Sequence, residues 1–241
     1  MEKVIPIAVE KIKKHLGSFS DLQQRSSYFN FNVLPTWLEK RYNSNALDDI
    51  ARALIVFIYA NFENTLRNIL RDTFISQGMN KPLLEKLFGN KKIQEIKYNF
   101  DKLFEYREKN VKEIIELEIL EHFVIFTCSK ITQVTGHAEM LDIDTESELM
   151  KLFKPFVAKL IERRHLIVHE ADLKSQGPPI ELNTIDPNDI VDWDFASTGL
   201  LCHITLNIID IYFPEYLREF DHFNKKIDWA VQHFKKRSGK N

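Results

Sequence analysis

The stretch ERRHLIVHEAD, residues 162–172, sets two arginines and two histidines on either side of three aliphatic residues. His165 and His169 are four apart, so on a helix one ring lies nearly above the other. Arg164 and His169 are five apart, about 140° around a helix axis. They converge only where a helix distorts or ends, or where both border one cleft. Such a cleft would hold a fixed cation, hydrogen-bond donors and an imidazole titrating near neutrality. Those parts suffice for phosphodiester chemistry without a metal. A histidine takes the proton from a 2′-hydroxyl or returns one to the leaving oxygen, and arginine stabilises charge growing on the phosphoryl oxygens.

The bland alternative is a helix end carrying surface charge. With this many arginines and histidines, an R-x(4–6)-H spacing arises about once by chance, so spacing alone carries little. The position of Arg164 carries more. Leu149, Leu152, Phe153, Phe156, Val157, Leu160 and Ile161 form an apolar stripe whose continuation falls on Arg164 and Val168. An arginine where an aliphatic belongs stays charged and must reach a carboxylate, a phosphate or a wet cleft. Leu166 projects about 200° from Arg164, so a second surface is expected to pack there.

Other constellations compete. Glu162 with His165, and Glu219 with His222, each form E-x-x-H, and two such motifs on a helical bundle raise a di-iron carboxylate reading. Against it, Arg163 and Arg164 would set positive charge beside the metals, and no helical glutamate is obvious between the motifs. No metal or other cofactor is expected. Glu63, flanked by Asn61 and Asn64, follows the apolar run ALIVFIYA. It caps that buried section, pairs with a surface lysine, or is the carboxylate that fixes Arg164. His122, His203 and Asp210 sit on mostly apolar helices and read as satisfied interior or interface groups.

Helices must position these residues. The chain has 241 residues, 44% hydrophobic and 28% charged, with only seven glycines and eight prolines to interrupt it. That length suits one large domain with helical additions. No run alternates convincingly with period two. Long helices are expected over about 48–76, over 111–134 with Gly136 ending it, from a capping box at Thr145 and Glu148 through the motif, and from about Val191 to Pro214. Residues 3–30 read as short, weakly patterned helices. Residues 81–102 read as short helices with a lysine-rich face, and 174–189 as a sixteen-residue loop. An amphipathic helix and a frayed basic tail follow Pro214. Residues 1–44 then form an N-terminal helical extension, 45–215 the core, and 216–241 the last helix and tail. The fold class is all-α, a bundle of four to five core helices with peripheral helices at both ends.

The net charge of −2 gives no general affinity for polyanions, so any RNA contact must come from a local site. The lysine-rich face or the tail could guide RNA backbone toward it. Cys128 and Cys202, both in apolar runs, make no disulfide framework and read as buried residues of a reducing compartment. The longest apolar run, residues 53–60, falls far short of a membrane span, and the N-terminus lacks a signal-peptide stretch. A cytoplasmic protein without a membrane partner is expected.

The motif region resembles a known family. LIERRHLIVHEAD is similar to the signature of the HEPN superfamily (higher eukaryotes and prokaryotes nucleotide-binding domain): an arginine, then usually Asn, Asp or His, then a few mostly apolar residues and a histidine. Arg164, His165 and His169 match it in order, as R-x4-H. The upstream IYANFENTLRNIL resembles the helix these domains place beside the motif, with a YxxFE run at Tyr59, Phe62 and Glu63. The resemblance covers roughly residues 45–215 and falls with the bacterial stand-alone groups of toxin and defence contexts. It implies an α-helical bundle that dimerises with both motifs facing one composite cleft. It also implies metal-independent endoribonuclease activity, RNA being cut by its own 2′-hydroxyl. Arg164, His165 and His169 are then the catalytic residues, supported by Glu63, Arg163 and Asn61. RNA is the substrate, a second copy the partner, and an antitoxin or sensor protein a further partner. HEPN toxins paired with nucleotidyltransferase antitoxins carry a tyrosine two residues after the histidine. Ala171 stands there in this chain, which puts that form of control in doubt. The alternative is a non-catalytic HEPN-like module that binds RNA or a nucleotide, or mediates assembly.

Overall fold

In the computed structural model the chain is described over residues 6–28, 44–89, 100–170, 172–173 and 182–237. The elements are α1 (Ile7–Tyr28), α2 (Ser44–Ser76), α3 (Lys81–Phe88), α4 (Phe100–Tyr106), α5 (Val111–Val124), α6 (Ile131–Met140), α7 (Glu148–His169), α8 (Pro187–Tyr212), a 3₁₀ segment (Pro214–Phe220) and α9 (Asp221–Arg237). Among the described residues the one strand-like pairing is an isolated bridge between Leu173 and Leu182. The all-α bundle expected from the sequence is the fold.

The most apolar segment makes the central helix. Asp186 caps α8 by accepting from the Asn188 N–H, and Pro187 sits at its first turn, where its missing N–H costs nothing. From Ile190 onward α8 is covered almost all round by α7, α2 and α9. By length and composition it is the one helix among the described residues that could cross a membrane, yet 67% of its apolar window is buried in the bundle. α7 approaches α8 closely at Gly199. A Cβ there would lie 2.7 Å from Phe153 Cε1, inside the ring's van der Waals envelope. Phe62 and Phe74 of α2 complete the centre with Phe153 and Phe220, all four fully buried. Each contributes about 1.5–3 kcal/mol by leaving water.

The structure departs from the sequence reading in several places. Residues 7–28 form one continuous helix. Val9, Ile12, Leu16 and Phe19 are buried along it at three- and four-residue spacing, and α1 packs on α2. The single helix expected over 111–134 is two, with residues 125–130 outside any helix and Gly136 inside α6. The sequence at the break, Val124 to Thr127, is β-branched and aromatic, which weakens a helix. α2 supplies the bonds the helix gives up. Arg67 Nη2 donates to the Phe126 carbonyl at 3.0 Å, and Glu63 Oε1 accepts from the Cys128 N–H at 2.8 Å. Phe126 and Cys128 turn inward, while Val124 and Ile125 are exposed.

α7 is capped by Ser147, whose hydroxyl accepts from the Met150 N–H, and not by Thr145, which donates to Glu139. Val168, expected in the core, is 46% exposed because the helix runs out one residue later. Lys235–Arg237, expected to fray, remain helical, and Arg237 pairs with buried Asp192. Residues 174–181 of the long loop and 238–241 of the tail lie outside the described residues.

Candidate active site

The end of α7 shapes the motif. The N–H groups of Glu170 and Asp172 both return to the Leu166 carbonyl at 3.0 Å, which stops the helix at His169. At this terminus Arg164 Nη1 comes to 3.4 Å from His169 Nε2, a long hydrogen bond. The guanidinium donates, so the contact requires an unprotonated Nε2 with the proton on Nδ1. The rings of His165 and His169 lie 4.7 Å apart between centroids, tilted by 45°, and Glu170 lies 4.0 Å from His165 Nε2. Both imidazoles are exposed to solvent.

Arg164 is half-buried, and its other face meets α2. Its guanidinium carbon sits 4.9 Å from the centre of the Tyr59 ring, and its Nε is buried with no hydrogen-bond partner. Buried Tyr59 donates its hydroxyl to Glu63 Oε1 at 2.9 Å. Glu63 was expected to grip Arg164 directly. Its carboxylate instead takes the Tyr59 hydroxyl and the Cys128 N–H, with Arg67 Nη2 at 3.9 Å, and influences Arg164 through the phenol. An anion accepting from the phenol makes the ring face more electron-rich, which favours a cation above it. Burial, and then Glu63, push the Tyr59 pKa well above its usual value, so the phenol stays neutral. Burial raises the Cys128 thiol strongly too, which leaves it inert as a nucleophile. Asn61, the other expected supporter from α2, is bonded to α1, its Nδ2 donating to the Phe19 carbonyl at 3.5 Å.

Arg163 does different work. Its Nη2 donates to Asp172 Oδ2 at 2.9 Å and to the Asn183 carbonyl at 3.1 Å. Arg52 of α2 reaches the same groups at 2.7 and 3.0 Å. Asp172 is 1% exposed and has a φ of +57°, a left-handed conformation that aspartate tolerates better than most residues. Asn183 closes the network, its N–H donating to the Asp172 carbonyl at 2.8 Å. Together these residues pin the end of α7 to α2 and to the chain entering α8. Sequence reasoning missed Asp172, Arg52 and Asn183, whose only local trace was an acidic residue three places after His169. Tyr59 was visible as the first residue of the YxxFE run.

The remaining candidates fall elsewhere. His203 Nε2 lies 3.1 Å from Ser147 Oγ, and burial lowers its pKa. His122 packs edge-on against Phe88 and Phe123 at 5.7 and 5.5 Å. Asp210, read as an interior or interface group, is exposed. Glu219 pairs with Lys13, and His222 lies against Phe223 with ring centroids 3.9 Å apart and the planes tilted by 43°. Among the described residues no three His, Cys, Asp or Glu side chains gather as a metal site requires, so the two E-x-x-H motifs form no common cluster. Of the lysine-rich region, residues 90–99 lie outside the described residues, and Lys81, Lys86 and Lys102 each meet a carboxylate, which reduces their charge for RNA.

The R-x4-H motif and the YxxFE run thus meet in space through Arg164 and Tyr59. Comparison with protein families gives a match to the RiboL-PSP-HEPN model over residues 9–210, taking in most of α1 as well as α2 to α8. No curated protein and no solved structure shows significant similarity to the chain. A HEPN-family match supports an RNA-related or nuclease function in general terms. With a match that spans most of its length, the chain belongs to the RiboL-PSP-HEPN family.

Proposed function

We propose that the protein is a metal-independent endoribonuclease, acting in the cytoplasm as a toxin or antiviral effector. One observation carries this reading: Arg164 is braced on Tyr59, 3.4 Å from an exposed imidazole. His169, with Nε2 free of a proton, takes the proton from a 2′-hydroxyl. That oxygen attacks the adjacent phosphorus and expels the 5′-oxygen, leaving a 2′,3′-cyclic phosphate. The 5′-oxygen takes a proton from His165 or from the same histidine of a second copy. Arg164 stabilises the charge on the phosphoryl oxygens throughout. Exposed Val168 beside His169 supports a composite cleft, since it offers apolar surface for a second α7 to cover. An antitoxin or sensor protein would hold such an activity in check.

RNA incubated with the protein in EDTA tests the assignment. We expect cyclic-phosphate ends from the wild type and a loss of about 10²–10³ in rate for Arg164→Ala and for His169→Ala. Undiminished cleavage by both variants would remove the assigned roles. The near-neutral charge and the paired lysines favour a second reading, a non-catalytic RNA-binding or assembly module. It predicts binding or dimerisation with no products at any protein concentration.

A further inference from the structure

A cavity of about 260 Å³ opens beside the motif, between α7 and the start of α8. Lys159, Glu162, Arg163 and Leu166 form its α7 side at helical spacing, roughly 90° around the axis from the histidine pair. Leu166, Ile185 and Trp193 give it apolar walls. Its charged rim is balanced, with Lys159 and Arg163 against Glu162 and Asp189. A balanced rim holds an anion poorly and suits a neutral, flat molecule bearing donors and acceptors of its own. Arg163 cannot swing away, because Asp172 and the Asn183 carbonyl fix its Nη2. The pocket is therefore preformed on one edge.

We propose that this cavity is a base subsite that receives one unstacked nucleobase of the RNA, guanine in preference. The proposal rests on the reading that RNA is the substrate. Single-stranded RNA is recognised by splaying bases onto apolar surfaces and bonding their edges. Guanine alone offers a carboxylate two adjacent N–H donors, N1–H and N2–H, while its O6 accepts from a neighbouring cation. Glu162 or Asp189 supplies the carboxylate and Lys159 the cation. A strand crossing His165 and His169 then carries a neighbouring base around α7 into the pocket.

The full chain is titrated with guanosine, adenosine, cytidine and uridine, which carry no phosphate. The indole N–H resonance of Trp193, assigned with Trp193→Phe, reports occupancy. Guanosine is expected to shift it saturably and ahead of the other three. The double variant Glu162→Gln, Asp189→Asn is expected to weaken that response about tenfold or more, with its melting temperature checked in parallel. Arg164→Ala is expected to bind guanosine like the wild type. No shift with any nucleoside, or an equal response in the double variant, overturns the subsite. Sequencing of cleavage ends separates this outcome from the nuclease reading. A guanine preference lost in the double variant supports the subsite, and one retained there overturns it while the nuclease stands. Guanosine binding with no RNA cleavage by any protein keeps the pocket and removes the nuclease.

Discussion

Arg163 turns its Nη2 into a network where Asp172 and two backbone carbonyls accept from it, with Arg52 from α2 on the same carboxylate. Arg164, one residue on, keeps a buried Nε without a partner, a ring beneath it and one long contact to an exposed histidine. The same side chain serves two ends: Arg163 is tied to a buried carboxylate, and Arg164 to a ring and a histidine. A guanidinium held against a ring and close to an exposed imidazole is the arrangement that the proposed chemistry asks for.

The contrast can be broken most forcefully at Asp172. Asp172→Ala leaves Arg52 and Arg163 without their shared buried carboxylate and is expected to cost about 3–5 kcal/mol, read by chemical denaturation. A cost within 1 kcal/mol would mean that the network does not hold the end of α7. Next come the arginines themselves. Arg163→Ala is expected to lower stability by about 1–3 kcal/mol with cleavage per folded molecule within about tenfold of wild type. Arg164→Ala should reverse the pattern, with the cleavage loss given above and a stability change of about 1 kcal/mol or less. Equal profiles for the two would erase the distinction.

Tyr59 sharpens it further. Tyr59→Phe keeps the ring and loses the bond to Glu63, so about 1 kcal/mol of stability should go while cleavage stays within about threefold. Tyr59→Leu removes the cation–π support as well, and cleavage should fall about tenfold. The smallest effect concerns pH. Burial lowers the pKa values of His203 and His137, so the unfolded chain takes up their protons more readily. Their neutral forms contribute fully above the unfolded histidine value of about 6.5, and that contribution is lost as pH falls below it. The melting temperature should drop by less than about 4 °C between pH 7 and 6, with a smaller drop in His203→Gln.

The long helices were legible because their apolar residues repeat with the helical period. The motif helix, the central helix and α2 all lie within a few residues of where the pattern puts them. The break after Val124 was not legible, because what stabilises it, Glu63 and Arg67, lies about sixty residues upstream. A run such as HFVIFTC reads as buried helix until those side chains are known to face its backbone. At the site, the types and order of Arg164, His165 and His169 were plain in the sequence. That Glu63 would work through Tyr59, and that Asp172 would bind two arginines from a left-handed turn, depends on tertiary contact.

Gly199 lies roughly 16 Å along α7 from Arg164, judged from its contact with Phe153. A single hydrogen atom there sets how deeply the motif helix beds against its neighbour. Any larger residue would lift that helix while leaving every motif letter unchanged. A substitution at that one position would thus move the motif in space without touching its letters, and a survey scoring only R-x4-H would not register the change.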